Sequence, residues 1–143
     1  MKVITLEEHF SSQKLGQKMA EVLPKRPIGN VSPKMQDYMQ RSLPPEAELE
    51  DVTGSRIQWM DQHQISMQIL SYGNQNPQNS DPKFAVELTK LANDELAKAV
   101  AKAPDRFRAF ASLPVSHPTD AAAELKRGVE ELGFKGAMLV RPT

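Results

Sequence analysis

The 143-residue chain contains no cysteine. Disulfide staples, thiolate zinc sites and cysteine nucleophiles are therefore excluded together, and any metal site must be built from His, Glu or Asp. Neither sign of charge is in excess: 18 Lys and Arg stand against 18 Asp and Glu, a formal net charge of zero. Without a basic stripe there is no electrostatic footprint for nucleic acid or for an anionic membrane. No stretch approaches the roughly 18 consecutive apolar residues of a spanning helix. The opening Met1-Lys2-Val3-Ile4-Thr5-Leu6 also lacks the apolar region of a signal peptide. These absences lead to the expectation of a cytoplasmic protein. With 39% hydrophobic and 25% charged residues, 11 Pro and 7 Gly, the composition is that of one ordinary globular domain with a real core.

Residues 2 to 6 are apolar and β-branched, the pattern of a buried strand, with Glu7-Glu8-His9 at its C-terminal end. A weak helical pattern follows from Ser11 to Val22. Five of the 11 prolines (Pro24, Pro27, Pro33, Pro44 and Pro45) then crowd residues 24–50, which predicts a long irregular connection of the loop or lid type. A short helix over Thr53–His63 carries Ile57 and Met60 on one side, and Ile65–Ser71 reads as a second strand. Tyr72–Ser80 is a polar loop, and Asp81-Pro82 is a helix start with Asp as cap and Pro at the first position. The helix it opens, Pro82–Lys102, has an apolar stripe of Phe84, Leu88, Leu91, Leu96, Ala99 and Val100. Phe107–Val115 is a third strand ending at Pro114, Thr119–Leu132 a helix closed by Gly133, and Phe134–Val140 a fourth strand.

Strands alternating with helices predict a parallel α/β sheet with right-handed crossovers. A flavodoxin-like sheet would fit the length, but its Gly-rich turn after strand one is replaced by Glu-Glu-His. A TIM-type (β/α)8 barrel takes about 250 residues, so four βα units read as its N-terminal half.

Side chains alternate along a strand, so Glu7 and His9 are expected on one side and Glu8 on the other. At a barrel mouth, a carboxylate beside an imidazole is a pair that a divalent cation accepts. Spacing alone leaves a second reading open, a solvated polar strand end. Among the other candidates, His63 suits a helix C-terminus, and His117 reads as part of a helix entry. Asp94 and Glu95 are expected on a solvated face, and Trp59 as a packing residue. Phe10 is a candidate wall of a substrate pocket, and Asn74 and Asn76 lie where a loop could face the mouth.

Leu6-Glu7-Glu8-His9-Phe10 after an apolar strand resembles the opening of the amidohydrolase-related (amidohydrolase 2) family, specifically its metal-dependent gamma-resorcylate (2,6-dihydroxybenzoate) decarboxylase branch. Further segments agree in order: Arg56-Ile57-Gln58-Trp59-Met60-Asp61, Leu91-Ala92-Asn93-Asp94, Pro104-Asp105-Arg106-Phe107, Ala111-Ser112-Leu113-Pro114 and Leu132-Gly133-Phe134-Lys135-Gly136-Ala137. The resemblance implies a barrel holding one divalent metal, zinc or manganese, with Glu7 and His9 as its strand-one ligands. It also implies decarboxylation of a small hydroxylated aromatic carboxylic acid, in which an acid protonates the ring carbon. The family's later His and Asp have no counterpart before Thr143, so this chain by itself is expected to be inactive. A metal-dependent hydrolase of the same superfamily is the alternative activity. The non-catalytic alternative is a half-barrel that self-associates or joins another chain through its open edges.

Overall fold

The computed structural model describes residues 1–24 and 32–140; Pro27 and Thr143 lie outside the described residues. Strands β1 (Ile4–Phe10), β2 (Met67–Tyr72) and β3 (Phe107–Ala109) form a parallel sheet in the order β1-β2-β3. This order separates the two architectures considered above. A flavodoxin-like sheet places its first strand between the second and third, whereas here β2 is central. Successive strands that are also spatial neighbours follow the topology of a barrel wall, and the fold is α/β, the N-terminal part of a TIM-type barrel.

β2 is buried along nearly its whole length, as a parallel strand covered on both faces must be. Gln68, Leu70 and Tyr72 point to the helix side, where the Tyr72 hydroxyl donates to the Ala92 carbonyl at 2.9 Å. Helix α5 (Pro82–Lys102) supplies that carbonyl. The Asp81 side chain caps the helix by accepting from Lys83 N at 2.9 Å. Its buried stripe of Ala85, Leu88, Ala92, Leu96 and Ala99 lies against the sheet at three- and four-residue spacing. Burial holds the Tyr72 hydroxyl above its ordinary pKa, with Glu95 and Glu50 adding to the shift, so it remains a donor.

Over its described residues 32–50, the proline-rich connection is less irregular than expected. It contains α2 (Pro33–Ser42) and α3 (Glu46–Glu50), and α1 (Gln13–Val22) precedes it. The prolines punctuate these helices. Pro33 occupies the first residue of α2, where a missing N–H costs no hydrogen bond, and Pro45 stands at the N-cap of α3. Helices α4 (Ser55–Gln62) and α6 (Pro118–Glu130) and a short 3-10 turn at Pro77–Asn79 complete the described elements.

The expected fourth strand is not formed as a strand. Residues 134–140 follow β3 in parallel through one bridge, Ala111 to Ala137. Ala111 N donates to Gly136 O at 2.9 Å and Met138 N to Ala111 O at 3.0 Å. Gly136 has φ +146, outside the strand region, and no strand borders the segment's outer side among the described residues.

Glu95 and Asp94, expected on a solvated face, form ion pairs at the surface. Glu95 bridges Lys14 at 3.2 Å and Lys98 at 2.8 Å, and Asp94 pairs with Arg127 at 2.8 Å. Conversely, Trp59 is 48% exposed, because α4 turns Met60 inward and leaves Trp59 to stack on His63.

A buried polar network ties α5 and α6 to the end of β3. Asn93 Nδ2 donates to Ser112 O at 2.9 Å and Glu124 Oε1 at 2.8 Å, while Asn93 Oδ1 accepts from Ser112 N at 2.9 Å. Arg127 closes it with two hydrogen bonds to Glu124. Asn93→Ala leaves a buried carboxylate and a buried peptide without these partners, and is expected to cost about 2–4 kcal/mol in urea denaturation.

Candidate functional site at the C-terminal strand ends

β1 is not a regular strand where it reaches its acidic end. Its register against β2 slips between Thr5 and Glu8, and Glu7 adopts a left-handed φ of +59. A bulge of this kind re-aims side chains. For a non-glycine residue it costs of order 1 kcal/mol.

Beyond the bulge, Glu8 pairs with Leu70, His9 with Ser71 and Phe10 with Tyr72. Glu7 and His9 both line a cavity of about 680 Å³ at the C-terminal ends of β1 and β2, whereas Glu8 lines another, of about 510 Å³, with Arg56, Trp59 and Gln68. The larger cavity has a polar side made by Ser71, Asn74, Asn76, Asn79 and Ser80. Its apolar side is made by Met19, Leu23, Met138 and Leu139. Asn74 and Asn76 thus reach the mouth. Asn76 Oδ1 accepts from Gln78 N at 3.0 Å, and its buried Nδ2 has no hydrogen-bond partner.

The mouth is stitched together by side chains from its loops. Gln75 Oε1 accepts from Ser12 N at 2.9 Å, and Gln75 Nε2 donates to Glu46 at 3.3 Å, joining the β2 loop to the starts of α1 and α3. Gln78 forms a two-way pair with Val140, donating to its carbonyl at 2.7 Å and accepting from its N–H at 3.0 Å. That pair holds the segment after α6 against the loop after β2. Sequence reasoning passed over both glutamines, since a Gln in a polar loop carries no spacing signal.

His9 is held from two directions. Arg56 Nη2 donates to the His9 carbonyl at 2.9 Å. The His9 ring lies over Gly73, where an added Cβ would stand 2.8 Å from Nδ1. Phe10 is 2% exposed, its ring edge-on to Tyr72 at 5.5 Å within the core. It lines a recess of about 160 Å³ shared with His9, Leu43, Pro44 and Gly73. His63 stands at the C-cap of α4 with Nδ1 2.8 Å from the Trp59 carbonyl. His117 begins α6 and its Nδ1 is 3.0 Å from Ser116 Oγ.

Among the described residues no group of three or more His, Asp or Glu side chains converges on a point that could hold a metal ion. The donor types at the mouth, one carboxylate and one imidazole, suit manganese or zinc, but a catalytic ion takes at least three protein ligands. Glu7 and His9 therefore fit such an ion as part of a larger set.

The sequence profile described as Amidohydrolase matches residues 20–142. The chain belongs to the amidohydrolase family. Gamma-resorcylate decarboxylase of Polaromonas sp. strain JS666 is 37% identical over 137 residues, 95% of this chain and 38% of that protein. The crystal structure of a 2,6-dihydroxybenzoate decarboxylase complexed with 2,6-dihydroxybenzoate superposes with a TM-score of 0.72 at 37% identity, covering 96% of this chain and 39% of the other. A dihydroxybenzoic acid decarboxylase from Polaromonas sp. JS666, solved with manganese and the inhibitor 2-nitroresorcinol, gives a TM-score of 0.71 at 38% identity, covering 96% and 38%. This member of the family thus spans under two fifths of the length of the curated relative and structures described here.

No helix among the described residues is long and apolar enough to cross a membrane.

In Gly73→Ala the new methyl group drives the His9 ring from its place. The expected result is a loss of about 1–3 kcal/mol from overpacking, read by urea denaturation, with displaced His9 ring signals in NMR while those of His63 and His117 stay in position.

Proposed function

We propose that this chain carries the first part of the active site of a metal-dependent, non-oxidative decarboxylase acting on a small hydroxylated aromatic carboxylic acid. The observation that carries the reading is the arrival of Glu7 and His9 on one mouth cavity in an amidohydrolase-family chain whose 37%-identical relative is a gamma-resorcylate decarboxylase.

Glu7 would supply a carboxylate oxygen and His9 an imidazole nitrogen to manganese or zinc. A bound divalent ion supplies Lewis acidity and fixes a carboxylate with its neighbouring hydroxyl. The chain's own groups divide the remaining work. The described residues lining the cavity include no Lys or Arg, so its neutral amides and hydroxyls orient polar substituents without adding positive charge. Met19, Leu23 and Leu139 offer an apolar wall to the ring. Phe10 supports the site from the recess behind His9, and the described residues 32–50 of the stretch 24–50 act as a lid through α3, which reaches Gln75 at the mouth. In the family this chain resembles, the acid that protonates the ring carbon and the remaining ligands lie on strands outside the part matched here. A water-activating hydrolase is the alternative activity for the same pair of ligands, Glu7 and His9. The absence of cysteine favours a cytoplasmic setting.

Titration with Mn²⁺ or Zn²⁺ tests the site. Glu7→Gln and His9→Ala are each expected to weaken binding about tenfold or more; equal binding by all three proteins removes these residues as ligands. The 143-residue chain supplied with either ion is expected to release no carbon dioxide from 2,6-dihydroxybenzoate, and turnover would show its site to be complete.

The margins of the sheet favour association. Ile4 and Leu6 on β1 are 48% and 61% exposed, and Val129 and Leu139 at the opposite margin are 45% and 62% exposed. Further βα units or a second copy would cover them. Sedimentation of the isolated chain is expected to show self-association, and a monodisperse monomer would overturn this part of the reading.

A further inference from the structure

The geometry points to Arg56 as the positioning residue of the candidate metal site, acting on His9 through the backbone. The inference rests on the reading of His9 as a ligand, and extends it to a side chain that does not line the 680 Å³ cavity.

Arg56 lies in the first turn of α4 and spends its guanidinium on four acceptors. Nε donates to Asp51 O at 2.9 Å, Nη1 to Gln68 Oε1 at 3.3 Å, and Nη2 to Leu49 O at 2.7 Å and His9 O at 2.9 Å. Three of these acceptors are main-chain carbonyls from two separate segments. Such a spread requires the rigid, five-donor fork of arginine; the ammonium of lysine has three donors on a flexible stem and cannot span it.

The location shows what the clamp adds. β1 shifts register at the bulge two residues earlier and pairs with β2 again over Glu8, His9 and Phe10, and Arg56 adds a hold on His9 from outside the ladder. Arg56 fixes the His9 peptide to Gln68 of β2 and to the chain leaving α3. Gln68 is buried, and Asp51 is anchored in turn. Burial pushes the Asp51 carboxyl up, but hydrogen bonds from Thr53, Gly54, Ser55 and Arg56 outweigh it and bring the pKa down to about 2. Asp51 thus stays ionised at the head of α4, beside the arginine it helps to place.

With the carbonyl gripped by Arg56 and the ring seated over Gly73, His9 is constrained at both ends. Arg56 does not line the 680 Å³ cavity on which Glu7 and His9 meet and reaches His9 only through its carbonyl, which makes it a positioning residue.

The chain has three histidines, so its imidazole NMR signals are separable, with His9 assigned by their loss in His9→Ala. In the metal-free protein, Arg56→Gln is expected to shift and broaden the His9 signals while leaving His63 and His117 unchanged. Unchanged His9 signals in a folded Arg56→Gln protein would overturn the inference. If all three histidines move together, Arg56→Lys, which keeps the charge and the alkyl stem, decides. Displacement of His9 alone supports the positioning role, whereas unmoved signals or general unfolding overturn it. Mn²⁺ then separates this inference from the functional reading. Selective paramagnetic broadening of His9 in the unaltered chain is expected, with Arg56→Gln needing about tenfold more Mn²⁺ for the same effect. Absence of broadening in the unaltered chain rejects His9 as a ligand and leaves the metal-free result on Arg56 standing, whereas equal Mn²⁺ demand by the two proteins rejects Arg56.

Discussion

The parallel ladder between β1 and β2, interrupted by a one-step slip, is the constraint on which the rest of the site depends. A parallel pair puts the C-terminal ends of both strands at the same edge of the sheet. The short acidic run of β1 and the Asn/Gln-rich loop after β2 are therefore neighbours without any further contrivance. The slip between Thr5 and Glu8 then decides which side each acidic residue serves. Thr5 and Glu8 share the side of Gln68 and Leu70, and Glu7, at φ +59, is turned toward the mouth cavity. The strained residue and the candidate ligand are the same residue, the pattern expected where local strain is held in place by surrounding structure.

That surrounding structure is polar and comes from loops. Arg56, Gln75 and Gln78 each bridge two segments far apart in sequence, and each bonds main-chain groups there: the His9 carbonyl, the Ser12 N–H and both polar groups of Val140. The Gln78 amide pairs with both main-chain polar groups of Val140, as a strand neighbour would. Beneath the mouth, the Asn93, Glu124 and Arg127 network does the equivalent for β3 and the two helices behind it. The core supplies most of the burial. These directional groups fix loops and strand ends against one another, since a hydrogen bond forms only at a specific donor–acceptor geometry.

Much of the fold was legible in the sequence because its signals are local. Asp81-Pro82 and the stripe through Leu88 and Leu96 place α5 over the residues it occupies, Pro82–Lys102. The alternation of elements supports a parallel sheet. Three features escaped for physical reasons. Pro33 and Pro45 suggested irregular chain, yet proline is neutral at a helix start. The apolar run 134–140 has strand composition, but a strand also needs partners, and among the described residues it makes one bridge. Trp59 looked like a packing residue from its size, whereas exposure depends on which side of α4 turns inward.

For the site, the residue types and their spacing were in the sequence: a carboxylate and an imidazole two positions apart, at the end of an apolar strand, without cysteine to compete for a metal. The arrangement belonged to the tertiary structure. Strict alternation would have put Glu7 and His9 together through a regular strand, and they share a cavity instead through a bulge that no composition or period announces. The clasp of Arg56 on the His9 carbonyl spans 47 positions of sequence, and the bridge from Gln75 to Ser12 spans 63. Periodicity describes what a residue does to its near neighbours along the chain. Hydrogen bonds over such separations exist only once packing has brought the segments together.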